Sequence, residues 1–172
     1  MSDFLMSCSC RGRRPKHVAS SAAHSRPHLI ADLLRSRDVA RFLVAPTGFG
    51  KSTVAAEYAQ VVFSFRQTFW VNCESPCFLR DLDAGIIASR VVEIGGAGSL
   101  VVFDDLPRMD ASRVEVFSEV VDELLAAGSE VLVTCTPTCD AYSDLHRDRV
   151  KLSARRFLLT DDEMKHTVRE TD

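Results

Sequence analysis

The sequence predicts an α/β fold of three layers, in which helices cover both faces of a parallel sheet of about five strands. Two observations carry this prediction. Short apolar runs alternate with segments whose apolar residues recur every three or four positions, as in strands followed by amphipathic helices. The run from Ser99 to Phe103 is almost continuously apolar, which is typical of a strand buried on both faces. Each strand–helix–strand unit is expected to cross over in the right-handed sense.

Turn and cap residues divide the chain into elements. The strands are predicted at residues 42–44, 68–72, 99–105, 131–134 and 150–152. The first helix follows the loop after the first strand, because Val54, Tyr58 and Val61 share one face. Further helices are predicted from Pro76 to the glycines at 95–96, from a cap at Asp110 to Gly128, and from Thr160 onward.

Composition bounds the domain count and the class of partner. The chain has 172 residues, enough for one domain, and 46% hydrophobic residues with 26% charged residues describe a globular protein. The net charge of −3 gives no overall attraction to nucleic acid or membrane, so direct nucleic-acid binding is not expected from this chain alone. Apolar runs are too short to span a bilayer and no signal-peptide pattern is visible, so the sequence predicts a cytoplasmic protein.

The two ends of the chain differ from its middle. Residues 1–25 carry Arg11, Arg13, Arg14 and Lys16 among serines and alanines, and are predicted to form a disordered basic arm. Contact of this arm with nucleic acid is the alternative interpretation. Residues 26–159 are predicted to form the domain, and residues 160–172 the start of a helical lid or a C-terminal tail.

The segment RFLVAPTGFGKST, residues 41–53, carries the strongest functional signal. A short apolar strand runs into a glycine-rich loop that ends in Gly50-Lys51-Ser52. In such a loop, successive backbone N–H groups surround a phosphate chain, the lysine reaches the β- and γ-phosphates, and the serine can hold Mg²⁺. Ala45 stands where the pattern usually has its first glycine, a position that only needs a small residue. The predicted phosphate-binding residues are Ala45, Pro46, Thr47, Gly48, Phe49, Gly50, Lys51, Ser52 and Thr53.

Two carboxylates at the end of the third predicted strand complete the motif. Ligands of open parallel sheets bind at the carboxyl ends of the strands, so Asp104 and the loop after Val44 are expected to face one crevice. Asp104 is predicted to hold Mg²⁺ together with Ser52, and Asp105 to orient or activate an attacking water. The alternative is a pair of helix-capping or solvent-facing aspartates.

These motifs together resemble the P-loop NTPase core of the STAND class, the signal-transduction ATPases with numerous domains, and within it the large maltose-regulator-like transcription activators. The similarity covers LVAPTGFGKST, LVVFDDL and the segment RPHLIADLL, and extends over roughly residues 26 to 165. It implies ATP and Mg²⁺ as ligands, with Arg26 and Pro27 near the adenine. It also implies that the chain is a slow nucleotide-dependent switch in a signalling or transcription regulator, with other protein domains or a second copy as partners besides ATP and ADP.

One departure from this family bears on catalysis. Members commonly carry an arginine just after the fourth strand that senses the γ-phosphate, and Thr134-Cys135 occupies that place here. Because a cation at that point greatly accelerates phosphoryl transfer, turnover is expected to be slow while binding survives.

Three other interpretations remain open at this stage. A small-molecule kinase is suggested by Arg147, Arg149, Arg155 and Arg156, and an interaction module that binds nucleotide without hydrolysis is suggested by the missing sensor arginine. Two C-x₃-C pairs, Cys73/Cys77 and Cys135/Cys139, could meet at one sheet edge as a zinc site, although reduced thiols are the default.

Overall fold

The computed structural model describes residues 26–35, 39–62, 68–95, 98–139 and 149–158. Within them, five strands form one all-parallel sheet in the order β2-β3-β4-β1-β5. The strands are β1 (Ala40–Val44), β2 (Thr68–Asn72), β3 (Leu100–Leu106), β4 (Glu130–Cys135) and β5 (Arg149–Ser153). The helices are α1 (Pro27–Leu34), α2 (Lys51–Val62), α3 (Pro76–Asp83), α4 (Ile87–Gly95) and α5 (Ala111–Ala126), with a 3₁₀ turn at Ala154–Phe157. The predicted α/β fold with a five-stranded parallel sheet is confirmed.

Helices cover both faces of the sheet because the strands are apolar on both sides. Val101 and Phe103 pack into a core with α3, α4 and α5, whereas Leu100 and Val102 pack into a second core with α1 and α2. In the first core, the ring of Phe103 meets the ring of Phe117 edge to face at 5.0 Å between centroids. Such pairs add to the stabilisation that burial itself provides.

The single helix predicted from Pro76 to residue 95 is wrong. The structure has two helices, α3 and α4, separated at Gly85, whose φ of +64° a residue with a side chain rarely adopts. The Ser75 hydroxyl caps α3 by accepting the N–H of Cys77. The apolar periodicity continued across the break because Leu82 and Ile87 pack into the same core.

The other predicted elements within the described residues lie close to their predicted positions, whereas the helix before β1 was not predicted. The Asp110 side chain accepts the N–H of Arg113 and caps α5, as predicted. The segment before the first strand forms helix α1, with Pro27 at its first position, where a missing N–H costs nothing.

Some sequence-based expectations fall on residues that the structure does not describe. The basic arm at 1–25, the helix predicted from Thr160 and the side chain of Arg147 lie outside the described residues. Across the described ranges, no helix combines the length and the apolar character that crossing a membrane requires.

Candidate functional site at the carboxyl edge of the sheet

The candidate residues gather at the carboxyl edge of the sheet. Val44 pairs with Cys135, and Asn72 pairs with Asp104, so the residues that follow these strands emerge at the same edge. Strand β4 lies between β1 and β3. A side chain that follows β1 therefore reaches the carboxylates of β3 across the end of β4.

The loop after β1 turns sharply above this edge. Ala45 is fully buried, and its N–H donates to the carbonyl of Cys135 at 3.2 Å, which leaves no room for a large residue. Gly48 and Gly50 have φ values of +86° and +78°. Only Gly50 is approached, because a Cβ there would lie 3.8 Å from the Arg26 guanidinium. Pro46 and Thr47 are exposed.

Lys51 is the first residue of α2 and lies beneath the loop. Only 5% of its surface is exposed, and its Nζ donates to the carbonyl of Pro46 at 3.2 Å. No carboxylate of the described residues lies within ion-pair distance of this ammonium. Burying a charge without an ion-pair partner is costly, so an anion beside Lys51 would stabilise the buried ammonium. The positive end of the α2 dipole acts in the same direction.

Ser52, Asp104 and Thr134 form a hydrogen-bonded chain behind Lys51. The hydroxyl of Ser52 donates to Oδ1 of Asp104 at 2.9 Å, and the hydroxyl of Thr134 donates to the same oxygen at 2.7 Å. The predicted metal-binding pair, Ser52 and Asp104, is thus brought together. Its oxygens are the hard ligands that Mg²⁺ prefers.

Asp105 has an unusual backbone. Its φ of +54° makes it the sole non-glycine residue with positive φ in the described part of the chain, and the β3–β4 register shifts between Phe103 and Leu106. The strand was predicted at residues 99–105, ending on the two carboxylates, and β3 continues through this bulge to Leu106. Bulges re-aim side chains and occur often beside active sites.

The surroundings of Asp105 also alter its acidity. Burial raises the pKa of the Asp105 carboxyl above its usual value, and the neighbouring Asp104 and Glu74 charges raise it further. The Lys51 ammonium acts against them by lowering the pKa. Asp105 and Lys51 therefore interact electrostatically across the site without forming an ion pair.

Arg26 connects the loop to the segment after β5. One of its guanidinium nitrogens donates to the carbonyls of Phe49 and Phe157, at 3.1 and 3.0 Å, and the guanidinium lies 6.0 Å from the centre of the Phe157 ring. Pro27 next to it is exposed, and Thr53 is half-buried within α2. Arg26 is thus placed at the loop, and its predicted position near an adenine stays a prediction.

Sequence reasoning missed two contributors to this edge. Thr134 was noted for the arginine it replaces, although a hydroxyl inside an otherwise apolar strand was itself a signal of a buried polar contact. Glu74 acts on Asp105 across β2 and β3, a pairing that the sequence does not reveal.

The structure gives little support to the zinc site and the kinase that the sequence left open. Cys73, Cys135 and Cys139 are buried, and in the described part of the chain no three His, Cys, Asp or Glu residues are grouped as a metal would require. Zinc therefore has no support among these residues. Of the arginines that suggested a kinase, Arg156 forms an ion pair with Asp32 of α1.

Comparison with known proteins adds no family assignment. No protein-family model matches the chain, and no curated protein matches it.

Proposed function

We propose that the chain is an ATP- and Mg²⁺-binding P-loop ATPase core that hydrolyses ATP slowly and acts as a nucleotide-dependent switch. The observation that carries the proposal is the buried ammonium of Lys51, which forms no ion pair with a carboxylate of the described residues. It lies under a loop with two glycines at positive φ, beside the hydrogen-bonded pair Ser52 and Asp104. A phosphate chain would supply the missing negative charge.

The residues of the site have distinct roles in this proposal. Lys51 and the loop N–H groups hold the β- and γ-phosphates. The Ser52 hydroxyl donates a hydrogen bond to Asp104, so the lone pairs of the hydroxyl oxygen stay available to the cation. Bound Mg²⁺ would neutralise charge on the phosphate oxygens during transfer.

Asp105 is the proposed acceptor of the water proton. The water oxygen bonds to the γ-phosphorus, the bond between that phosphorus and the β–γ bridging oxygen breaks, and ADP leaves with that oxygen. The raised pKa of Asp105 makes its carboxylate a better proton acceptor than an ordinary aspartate. Thr134-Cys135, at the end of β4, stands where the sensor arginine is expected, so turnover is slow.

Recognition of adenine and the wider role follow from the family resemblance. Arg26 and Pro27 lie at the edge of the loop, where a base attached to the bound phosphates could be reached. A switch of this kind would act in the cytoplasm on other protein domains or on a second copy, within a signalling or transcription regulator.

Titration calorimetry tests the binding step. ATP and ADP, each with Mg²⁺, are titrated into the wild-type protein, into Lys51→Ala and into the control Lys151→Ala, which removes an exposed lysine of β5. We expect binding to the wild type and to the control but not to Lys51→Ala. Absence of binding to folded wild-type protein contradicts the proposal.

Phosphate release and phosphate transfer separate the proposal from its rivals. Slow release of phosphate from ATP, lost in Asp105→Asn, is expected of the switch ATPase. Transfer to nucleosides or nucleoside monophosphates indicates the kinase instead. Binding with no release at all indicates the non-hydrolysing interaction module.

A further inference from the structure

Thr134 connects the Asp104 carboxylate to the backbone N–H of Asp105. The residue is fully buried in β4. Its hydroxyl donates to Oδ1 of Asp104 at 2.7 Å and accepts the backbone N–H of Asp105 at 2.8 Å. The single proton of this hydroxyl is therefore committed to Asp104, so it is not directed at a nucleotide.

The contact with Asp105 falls on the irregular part of β3. In a regular strand, successive side chains point to opposite faces of the sheet. The register shift between Phe103 and Leu106 and the positive φ of Asp105 break this alternation at the two aspartates. A residue held at positive φ is strained and persists only where its surroundings fix it. Thr134 supplies the hydrogen bond that fixes the Asp105 N–H.

We propose that Thr134 is a positioning residue whose hydroxyl sets the place of both carboxylates, fixing the Asp104 side chain and the bulged backbone of Asp105. This inference rests on the proposed function, since it assigns Asp104 to the metal and Asp105 to the water. Thr134 acts through these two residues and touches no substrate atom.

Loss of the Thr134 hydroxyl should affect the two aspartates and not the loop. Loss of the hydroxyl frees Asp104 from one of its two hydroxyl donors and leaves the Asp105 N–H without its acceptor. The loop and Lys51 keep their contacts, because neither is bonded to Thr134. Catalysis and the Mg²⁺ requirement therefore change, while ATP binding through the loop persists.

Three variants test the inference by kinetics. Thr134→Val removes the hydroxyl at nearly constant shape, Thr134→Ser restores it, and Thr136→Val makes the same change at a hydroxyl that contacts Thr138 and Cys139 instead of a carboxylate. We expect Thr134→Val to lower kcat and to raise the half-saturating Mg²⁺ concentration, each by about 10-fold, a size found when the outer partners of metal ligands are removed. The KM for ATP changes little, and the other two variants resemble the wild type.

Amide hydrogen exchange gives a readout that needs no activity. In the wild type, the Asp105 N–H should exchange slowly, and in Thr134→Val it should exchange faster while the amides in the middle of β3 stay protected. Rapid exchange of this amide in folded wild-type protein overturns the inference even when the valine variant does not fold. Unchanged kcat and Mg²⁺ dependence in folded Thr134→Val also overturn it. Failure of wild-type protein to bind ATP refutes the proposed function instead, and leaves the exchange result to decide the hydrogen bond alone.

Discussion

The two edges of the sheet handle buried charge in opposite ways. At the amino edge, Arg41 is 1% exposed and forms an ion pair with Glu130 at 3.0 Å. Its Nε donates to the carbonyl of Leu33, and its guanidinium lies 5.4 Å from the centre of the Tyr58 ring. The Tyr58 hydroxyl donates to Glu130, and burial raises the pKa of Tyr58 above its usual range, which keeps that donor protonated.

At the carboxyl edge, the buried cation forms no ion pair within the described part of the chain. Lys51 has the carbonyl of Pro46 as its hydrogen-bond partner, and no carboxylate of the described residues forms an ion pair with it. Asp104 takes its hydrogen bonds from neutral hydroxyls. The difference teaches that the amino edge pairs its buried charges for stability, whereas the carboxyl edge keeps a buried ammonium without an ion pair among the described residues, which is the feature on which the proposed function rests. Active sites commonly trade stability for function in this way.

The largest expected effect is at the amino edge. Arg41→Met should lower the free energy of unfolding by about 3 kcal/mol, because removing one partner of a buried pair leaves the other charge uncompensated. This lies at the low end of the usual range, since the Glu130 side chain is 21% exposed. Urea denaturation measures the change.

The matched control for Arg41→Met is Lys151→Met on the neighbouring strand β5, which removes an exposed cation. It should change stability by less than about 0.5 kcal/mol. Equal losses in the two variants would show that the amino edge is not the specialised structural network described here.

A second arginine tests the same contrast at the carboxyl edge. Arg26→Met removes the donor to the Phe49 and Phe157 carbonyls, so the loop loses the side chain that connects it to the segment after β5. We expect ATP to bind about tenfold more weakly, which is about 1.4 kcal/mol. The loss of stability should stay below that of Arg41→Met. Calorimetry and urea denaturation measure the two quantities.

Arg156→Met is the control for Arg26→Met, because Arg156 forms an ion pair with Asp32 and neither a hydrogen bond nor an ion pair with the loop. It should leave ATP affinity unchanged. Equal weakening of ATP binding in both variants would place the effect in the segment after β5 rather than in the loop.

The third prediction is a gain in the free energy of unfolding instead of a loss. Lys51→Met should raise the free energy of unfolding of the ligand-free protein by about 1 kcal/mol, because it removes a buried charge that has no ion-pair partner among the described residues. The exposed carbonyl of Pro46 can bond to water instead. Urea denaturation without nucleotide measures the change, and a loss as large as that of Arg41→Met would contradict the contrast between the edges.

The smallest effect concerns Asp105 and pH. Because the fold raises the pKa of this carboxyl, the ionised form is disfavoured in the folded state, and stability is lost as pH rises through the folded pKa. Asp105→Asn removes that loss and places a residue that tolerates positive φ. We expect the free energy of unfolding of Asp105→Asn at pH 7 to be about 0.5 kcal/mol higher than that of the wild type.

Urea denaturation at pH 7 and near pH 3 checks the sign for Asp105→Asn. The gain should shrink as pH falls below the folded pKa, since wild-type Asp105 is then protonated. Asp110→Asn, which keeps a helix cap, should show no gain at either pH. A gain in the free energy of unfolding that grows as pH falls would contradict a raised pKa of Asp105.

Local sequence signals predicted the parts of the site but not its connections. The loop, Lys51 and the adjacent Asp104-Asp105 were visible because each depends on a short stretch of chain. The break at Gly85 was missed, since both helices present apolar residues to one core and so continue one periodicity. Arg41 within a predicted strand gave no sign of its ion pair, because Glu130 lies far along the chain.

The sequence by itself determined the alternation of strands and helices, the position of the glycine-rich loop and the chemical character of the residues at the strand ends. These follow from periodicity and from backbone conformations that neighbouring residues impose. Only the tertiary structure decided the strand order β2-β3-β4-β1-β5, which places Thr134 of β4 beside Asp104, where its hydroxyl and that of Ser52 donate to the same oxygen. It also decided which cation is paired and which is not, because charge compensation depends on contacts between segments that are distant in the chain.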